Sequence, residues 1–206
     1  IVAGEACPAE LVDRWAPGRR FFNAYGPTET TVWASVELCA GGAGAPAIGR
    51  PVANFRTGVV DRHWQGVPMG IAGELVLGGA GLAQGYRGRP DLTAERFVPD
   101  PLAAAPGQRL YRTGDLARRL TDGRLQFLGR IDQQVKVRGF RIEPAEIEQA
   151  LAEHAAVREA VVLAREQRGA GRQLVAWVVL REPGGVADGD LRAHLATKLP
   201  EHMMPA

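Results

Sequence analysis

The chain has 206 residues, with 25 basic and 23 acidic side chains for a formal net charge of +2, and it is 46% hydrophobic and 23% charged. Those are the proportions of a globular protein with room for one or two cored domains. The longest uncharged stretches, 38–49 and 75–86, are short and broken by glycine, and no basic residue precedes an apolar run at the amino end. These runs are too short for a transmembrane helix, the amino end does not look like a secretory signal, and no membrane role is expected.

Residues 1–53 begin with helical spacing over Pro8–Trp15, with Pro8 in the first turn and Gly18 as the C-cap. An apolar run at Arg20–Tyr25, the turn Gly26-Pro27, a β-rich run at Thr30–Leu38 and a loop over 41–49 follow. That alternation predicts the tail of a layered α/β domain. Residues 54–131 carry strand-like runs at Thr57–Val60, Glu74–Leu77, Leu116–Leu120 and Leu125–Leu128 between glycine-rich turns. They predict a small β-barrel-like subdomain, interrupted by a helix over Asp91–Phe97 that Asp91 would cap. Residues 132–206 read as a compact C-terminal α+β domain. It holds a strand at Gln134–Val137, a helix over Pro144–His154, β runs at Ala160–Ala164 and Leu174–Leu180, and a helix over Ala187–Leu199. The fold class is therefore α/β plus α+β.

Single residue types exclude several chemistries. Lys136 and Lys198 are the only lysines and neither follows a glycine, so a P-loop is absent. Ser35, the only serine, stands in Trp-Ala-Ser-Val-Glu, without the glycines of a nucleophile elbow. His63, His154, His194 and His202 have no ligand spacing. Cys7 and Cys39 form no disulfide pattern, which suits reduced thiols in the cytoplasm. Acidic and basic residues are interleaved, so no nucleic-acid footprint is expected.

Four clusters carry unusual residues. Asn23–Thr30 (NAYGPTET) sets an amide, a phenol, hydroxyls and a carboxylate around a glycine-proline turn. Its spacing alone reads first as a surface turn after a buried strand; the other reading is a carboxylate holding a hard cation beside a hydroxyl on a phosphate oxygen. Tyr111–Leu116 (YRTGDL) places Asp115 after Gly114 and reads, on its own, as a hairpin turn between two strands. Gly73–Tyr86 follows a strand with glycines, but Gln84 stands where a dinucleotide fingerprint needs its third glycine, and no helix opens there. From Arg130 to Arg141, five charged side chains, Arg138 among them, alternate with apolar ones. The period indicates a half-exposed strand, and the position between two units indicates a hinge.

Taken in this order, and with the closing LPEHMMP, these motifs resemble the adenylation domains of nonribosomal peptide synthetases, in the superfamily that includes acyl-CoA synthetases and luciferases. The resemblance runs over essentially the whole chain and implies roles position by position. Asn23 would bond the adenine amino group and Tyr25 would stack on the ring. Thr28 would contact the α-phosphate, and Glu29 would bind Mg²⁺. Asp115 would accept the ribose hydroxyls with Arg130 beside the same sugar, and Phe127 stands where the family often has Tyr near the nucleotide. Asp132 matches the hinge of the small domain, and Lys136 lies in the segment that faces the active site during thioester formation.

The family's amino-acid pocket maps to Ile1, Ala3, Ala24, Val32 and Trp33, all apolar, so a neutral hydrophobic substrate side chain is expected. The implied activity is ATP-dependent activation of an amino acid, then transfer to the phosphopantetheine thiol of a carrier protein, with a small activator protein as a further partner. The alternatives are an acyl-CoA or aryl-acid ligase of the same superfamily and a non-catalytic carrier-docking domain. The chain opens without Met inside an apolar run. It is therefore expected to be a piece of a longer protein, inactive alone because the family's phosphate loop, amino-group carboxylate and adenylation lysine fall outside it.

Overall fold

The computed structural model describes residues 1–101, 103, 107–137, 139–167 and 171–206. Arg138 of the junction motif lies outside the described residues. The chain divides into two units, Ile1–Asp132 and Gln133–Ala206.

The first unit opens with β1 (Val2–Ala3), α1 (Ala9–Trp15), β2 (Phe21–Tyr25), β3 (Ser35–Cys39) and β4 (Arg50–Pro51), whose strands form one sheet in that order. β1 runs parallel to β2 with Ala3 beside Ala24, while β3 is antiparallel to both its neighbours. α1 turns Val12 inward, 1% exposed, onto Phe21 and Cys39. It starts at Ala9 because Pro8 sits just outside with extended backbone. It ends at Ala16, whose N–H donates to the Val12 carbonyl, so Gly18 lies beyond the cap with a φ of +70°. The β-rich run begins later than its composition indicates: Thr28–Thr30 form a 3₁₀ turn, Thr31 has a φ of 71°, and the strand starts only at Ser35.

A second sheet is built from β5 (Phe55–Val60), β6 (Ala72–Gly79), β7 (Phe97–Pro99), β8 (Arg109–Arg119) and β9 (Leu125–Arg130), with α2 (Pro90–Arg96) before β7. Its order is β5-β6-β8-β7, and β9 pairs with the second half of β8. Among the described strands no closed barrel forms. Leu75, Leu77 and Leu125 are fully buried and pack with Ala34, Ile48 and Val59, each large side chain contributing about 1.5–3 kcal/mol of burial. Backbone bonds from Ile48 to Leu125 and from Leu125 to Gly49, both 2.8 Å, tie the two sheets together. α2 is capped at Arg89, not at Asp91. Arg89 reaches the Asp91 carboxylate at 2.8 Å and lowers its pKa to about 2, so that side chain is engaged as an ion pair rather than as a cap.

The second unit contains the hairpin β10 (Val135–Val137) and β11 (Phe140–Ile142), then α3 (Pro144–Ala152), the long hairpin β12 (Val157–Gln167) and β13 (Gly171–Leu180), α4 (Asp188–Ala196) and a 3₁₀ turn at Glu201–Met203. Proline at the first helical position of α3 suits its fixed φ, and Ile147, Ala150 and Leu151 recur on one face. That face packs on Ile142, Val162, Leu174, Leu195 and Met203. Alternation along β12 and β13 puts Val162 and Leu174 inside, whereas Val161, Leu163, Trp177 and Val179 stay exposed. No helix among the described residues is long and apolar enough to cross a membrane.

Candidate active site

The Gly26-Pro27 turn is held by close backbone packing. A Cβ on Gly26 would lie 2.5 Å from the Val32 carbonyl oxygen and 2.8 Å from the Trp33 Cα, so only glycine fits. The Ala34 N–H donates to the Tyr25 carbonyl at 2.8 Å, and the Thr30 hydroxyl and N–H both donate to the Pro27 carbonyl. The 3₁₀ turn leaves the Thr28 side chain exposed and buries Glu29. Upstream, Asn23 is buried and its Nδ2 donates to the Ala47 carbonyl at 2.9 Å, which fixes the orientation of the amide.

Glu29 is braced from a distant segment. The Tyr86 hydroxyl donates to Glu29 Oε1 at 2.6 Å, and the Ala83 N–H donates to the Glu29 carbonyl at 2.8 Å. Tyr86 meets Phe97 edge-on at 5.6 Å, and Phe97 packs on Tyr111 at 5.1 Å. Burial first, and then the Glu29 carboxylate, push the Tyr86 phenol far above its ordinary pKa, so it remains a donor. The glycine-rich stretch that fails as a dinucleotide fingerprint thus ends in an aromatic brace. The signal for it was Tyr86, the one polar aromatic closing that run, but no spacing rule links it to Glu29.

Asp115 does not stand in a hairpin turn. Gly114 and Asp115 lie inside the eleven-residue strand β8. Here the register with β6 jumps, because Val76 faces Arg112 while Glu74 faces Leu116. Leu75 alone opposes Thr113, Gly114 and Asp115, so the segment is a bulge, with Gly114 at a φ of +69°. The bulge aims Asp115 at two partners: its carboxylate accepts the Tyr25 hydroxyl and, at 2.8 Å, Arg130 Nη1. Arg130 in turn grips Asp132 through Nε and Nη2 at 2.6 and 2.7 Å. A phenol, two carboxylates and one guanidinium therefore form a continuous row. Burial, together with the Asp115 carboxylate, raises the Tyr25 phenol well above its usual range.

The remaining sequence candidates are more dispersed. Phe127 is half-buried on β9 and leans, like Tyr25, on the core around Leu75 and Leu125. Ala24 is buried beside Ala3, whereas Ile1 and Val32 are largely exposed and Trp33 partly so. Lys136 belongs to the second unit, on β10 opposite Arg141. Asp132 is the last residue of the first unit. No group of three metal-ligating side chains occurs among the described residues. A cavity of about 750 Å³ lined by Asp13, Arg19, Arg20, Leu38 and Cys39 lies at the far ends of β2 and β3 and shares no residue with this cluster.

The model of the AMP-binding enzyme family matches residues 1–87, and that of the AMP-binding enzyme C-terminal domain matches residues 146–206. A linear gramicidin synthase from Brevibacillus parabrevis is 53% identical over the whole chain, which spans only 4% of that protein's length. Among solved structures, PA1221, a nonribosomal peptide synthetase protein containing adenylation and PCP domains, aligns with a TM-score of 0.84 at 31% identity, over 98% of this chain and 41% of its own. A malonyl-CoA ligase, solved as a ternary product complex with methylmalonyl-CoA and AMP, aligns with a TM-score of 0.79 at 33% identity, over 98% and 43%. The chain belongs to the AMP-binding enzymes, the adenylate-forming family that includes the adenylation domains of nonribosomal peptide synthetases.

Proposed function

We propose that the protein carrying this chain activates an amino-acid carboxylate with ATP and then passes the acyl group to the phosphopantetheine thiol of a carrier protein. The observation that carries this reading is the row Tyr25–Asp115–Arg130, set beside a braced Glu29 on the Gly26-Pro27 turn. In it, Asn23 accepts the adenine amino group through its carbonyl oxygen, its Nδ2 being held by Ala47, and Tyr25 and Phe127 supply aromatic faces. Asp115 takes the ribose hydroxyls with Arg130 alongside, and the exposed Thr28 hydroxyl meets the α-phosphate.

Glu29 fits a Mg²⁺ ligand, since this hard cation is held by one or two carboxylates together with substrate phosphates, and Glu29 is one oriented carboxylate. When bound, the ion offsets charge on the phosphates. The carboxylate oxygen of the amino acid attacks the α-phosphorus, pyrophosphate leaves, and the acyl-adenylate is then cleaved by the thiol, releasing AMP. Asp132, where the first unit ends, serves as the hinge between the two half-reactions, and Lys136 serves the second.

The pocket positions that the resemblance assigns, Ile1, Ala3, Ala24, Val32 and Trp33, are all apolar, which supports a neutral hydrophobic amino-acid side chain as substrate. A carrier protein is the acceptor and a small activator protein a further partner. The free thiols of Cys7 and Cys39 support a cytoplasmic setting. The test is amino-acid-dependent ATP–pyrophosphate exchange by the protein at its full natural length. Exchange fastest with a neutral hydrophobic amino acid is expected, and exchange fastest with an acidic or basic one refutes the substrate reading. The likeness to a malonyl-CoA ligase favours one second reading, an acyl-CoA ligase, which predicts acyl transfer to free coenzyme A and none to a carrier.

A further inference from the structure

The bulge that presents Asp115 leaves backbone groups outside the strand ladder, and unpaired buried donors are costly. Two side chains supply what the ladder does not. Thr113 Oγ1 donates to the Leu75 carbonyl at 2.7 Å and accepts the Asp115 N–H at 2.9 Å. Glu74 Oε1 accepts the Gly114 N–H at 3.3 Å, while its Oε2 accepts Arg112 Nη2 at 3.0 Å. Glu74 is largely withdrawn from water, with a side chain 13% exposed. Arg112 is wedged with its guanidinium 5.1 Å from the Trp64 ring, and its Nε is buried with no hydrogen-bond partner among the described residues. That arrangement leaves Arg112 committed to Glu74 rather than to a network of its own. On the other side of the bulge, the Gly114 carbonyl accepts the Ile131 N–H at 2.8 Å, so the same residue also sets the spacing between β8 and the Arg130–Asp132 pair.

We propose that Glu74 is a positioning residue. Through the Gly114 N–H it holds the bulge at the angle that aims Asp115 at Tyr25 and Arg130, and it thereby sets the affinity for the ribose of the nucleotide. Arg112 orients Glu74 from behind, clamped by Trp64. This rests on the reading of Asp115 as the ribose carboxylate. Nothing in the local spacing of Gly73-Glu74-Leu75 distinguishes it from an ordinary half-buried strand residue. The role emerges only because the bulge lies across from it.

The experiment compares Glu74→Ala, Glu74→Gln and Asp115→Asn in the protein at its full natural length, by pyrophosphate exchange with ATP and with an ATP analogue lacking one ribose hydroxyl. Glu74→Ala is expected to raise the KM for ATP roughly tenfold, the scale of a lost charge-assisted hydrogen bond, with the KM for the amino acid unchanged. The analogue, disfavoured by the parent enzyme, loses its disadvantage in this variant. In an Asp115→Asn background Glu74→Ala adds nothing further, because it acts through Asp115. Glu74→Gln keeps an acceptor for the Gly114 N–H and retains most of the affinity.

A parallel loss in both KM values and in melting temperature overturns the proposal, as does a full additional effect on top of Asp115→Asn. A Glu74→Gln variant as weak as Glu74→Ala also overturns it, by assigning the effect to charge on Arg112. A harmless Glu74→Ala beside a damaging Asp115→Asn overturns the role of Glu74 alone. A harmless Asp115→Asn overturns the ribose assignment and Glu74 with it.

Discussion

Gly114→Ala probes the geometry of the site most directly, because two separate costs fall on one methyl group. Gly114 has a φ of +69°, and an alanine in that left-handed region costs about 1–2 kcal/mol more than glycine. The added Cβ would also lie 2.6 Å from Arg130 Nη2 and 2.7 Å from Asp132 Oδ2, the two ends of one charge-assisted hydrogen bond. The guanidinium must move, and losing that bond costs roughly 1.5–3 kcal/mol. Asp132 is about a third exposed, which places the value at the lower end. The sum is about 3 kcal/mol.

Gly88→Ala separates the two costs, since Gly88 has a φ of +72° with nothing within 4 Å of its Cβ position; it bears the conformational cost alone, about 1–2 kcal/mol. Urea unfolding followed by tryptophan fluorescence reads both variants, Trp15, Trp33 and Trp64 all lying in the first unit. Gly114→Ala is expected to shift the midpoint about twice as far as Gly88→Ala, and in an Arg130→Ala background the difference should close. Equal shifts for the two single variants would refute the steric argument, leaving only the backbone term.

In the second unit, Ile147 is fully buried against Ile142, Leu151 and Val162. Ile147→Ala should therefore cost about 4 kcal/mol and strip hydrogen-exchange protection from β12 and β13 while leaving β6 protected; a loss under about 1 kcal/mol would contradict that packing. Tyr25 and Tyr86 have phenols raised above their unfolded value. The stability they contribute is therefore present below about pH 10 and is lost as pH rises toward their folded values. In a rapid alkaline titration of the folded protein, Tyr25→Phe and Tyr86→Phe should leave the early phenolate absorbance unchanged, and a smaller early amplitude in either variant would contradict the burial. Glu29→Gln should reduce pyrophosphate exchange by roughly 10²-fold with a higher Mg²⁺ requirement, and an unchanged Mg²⁺ dependence would remove Glu29 from the metal site.

Strong periodic runs were readable from the residues alone. The core strand around Leu75 and Leu77 follows from a short apolar run, and the helix with Ile147, Ala150 and Leu151 on one face from helical spacing, whereas the unbroken apolar run 160–164 marks a strand without telling inward Val162 from exposed Val161 and Leu163. The errors lie where a local signal has two physical outcomes. A glycine followed by aspartate marks a reversal or a bulge equally well, and only the register of β6 against β8 decides which. Asp91 is a good capping residue by type, but Arg89 two positions away takes its carboxylate. The brace of Tyr86 on Glu29 joins residues 57 positions apart, and the bond of Tyr25 to Asp115 joins residues 90 apart. Neither separation leaves any trace in a sequence window. Motif order over the whole chain carried the family, whereas the supports of its site came from tertiary packing.

The two lysines acquire a practical meaning from where the chain divides. Lys136, half-buried across from Arg141, and Lys198, ion-paired to Glu153, both lie in Gln133–Ala206, while all the basic side chains of Ile1–Asp132 apart from histidine are arginines. Among the side chains of this chain, an amine-directed dye or cross-linker therefore tags those of Gln133–Ala206 only. Lys198 offers the more exposed handle and Lys136 a half-buried one, so labelling of the smaller unit favours Lys198.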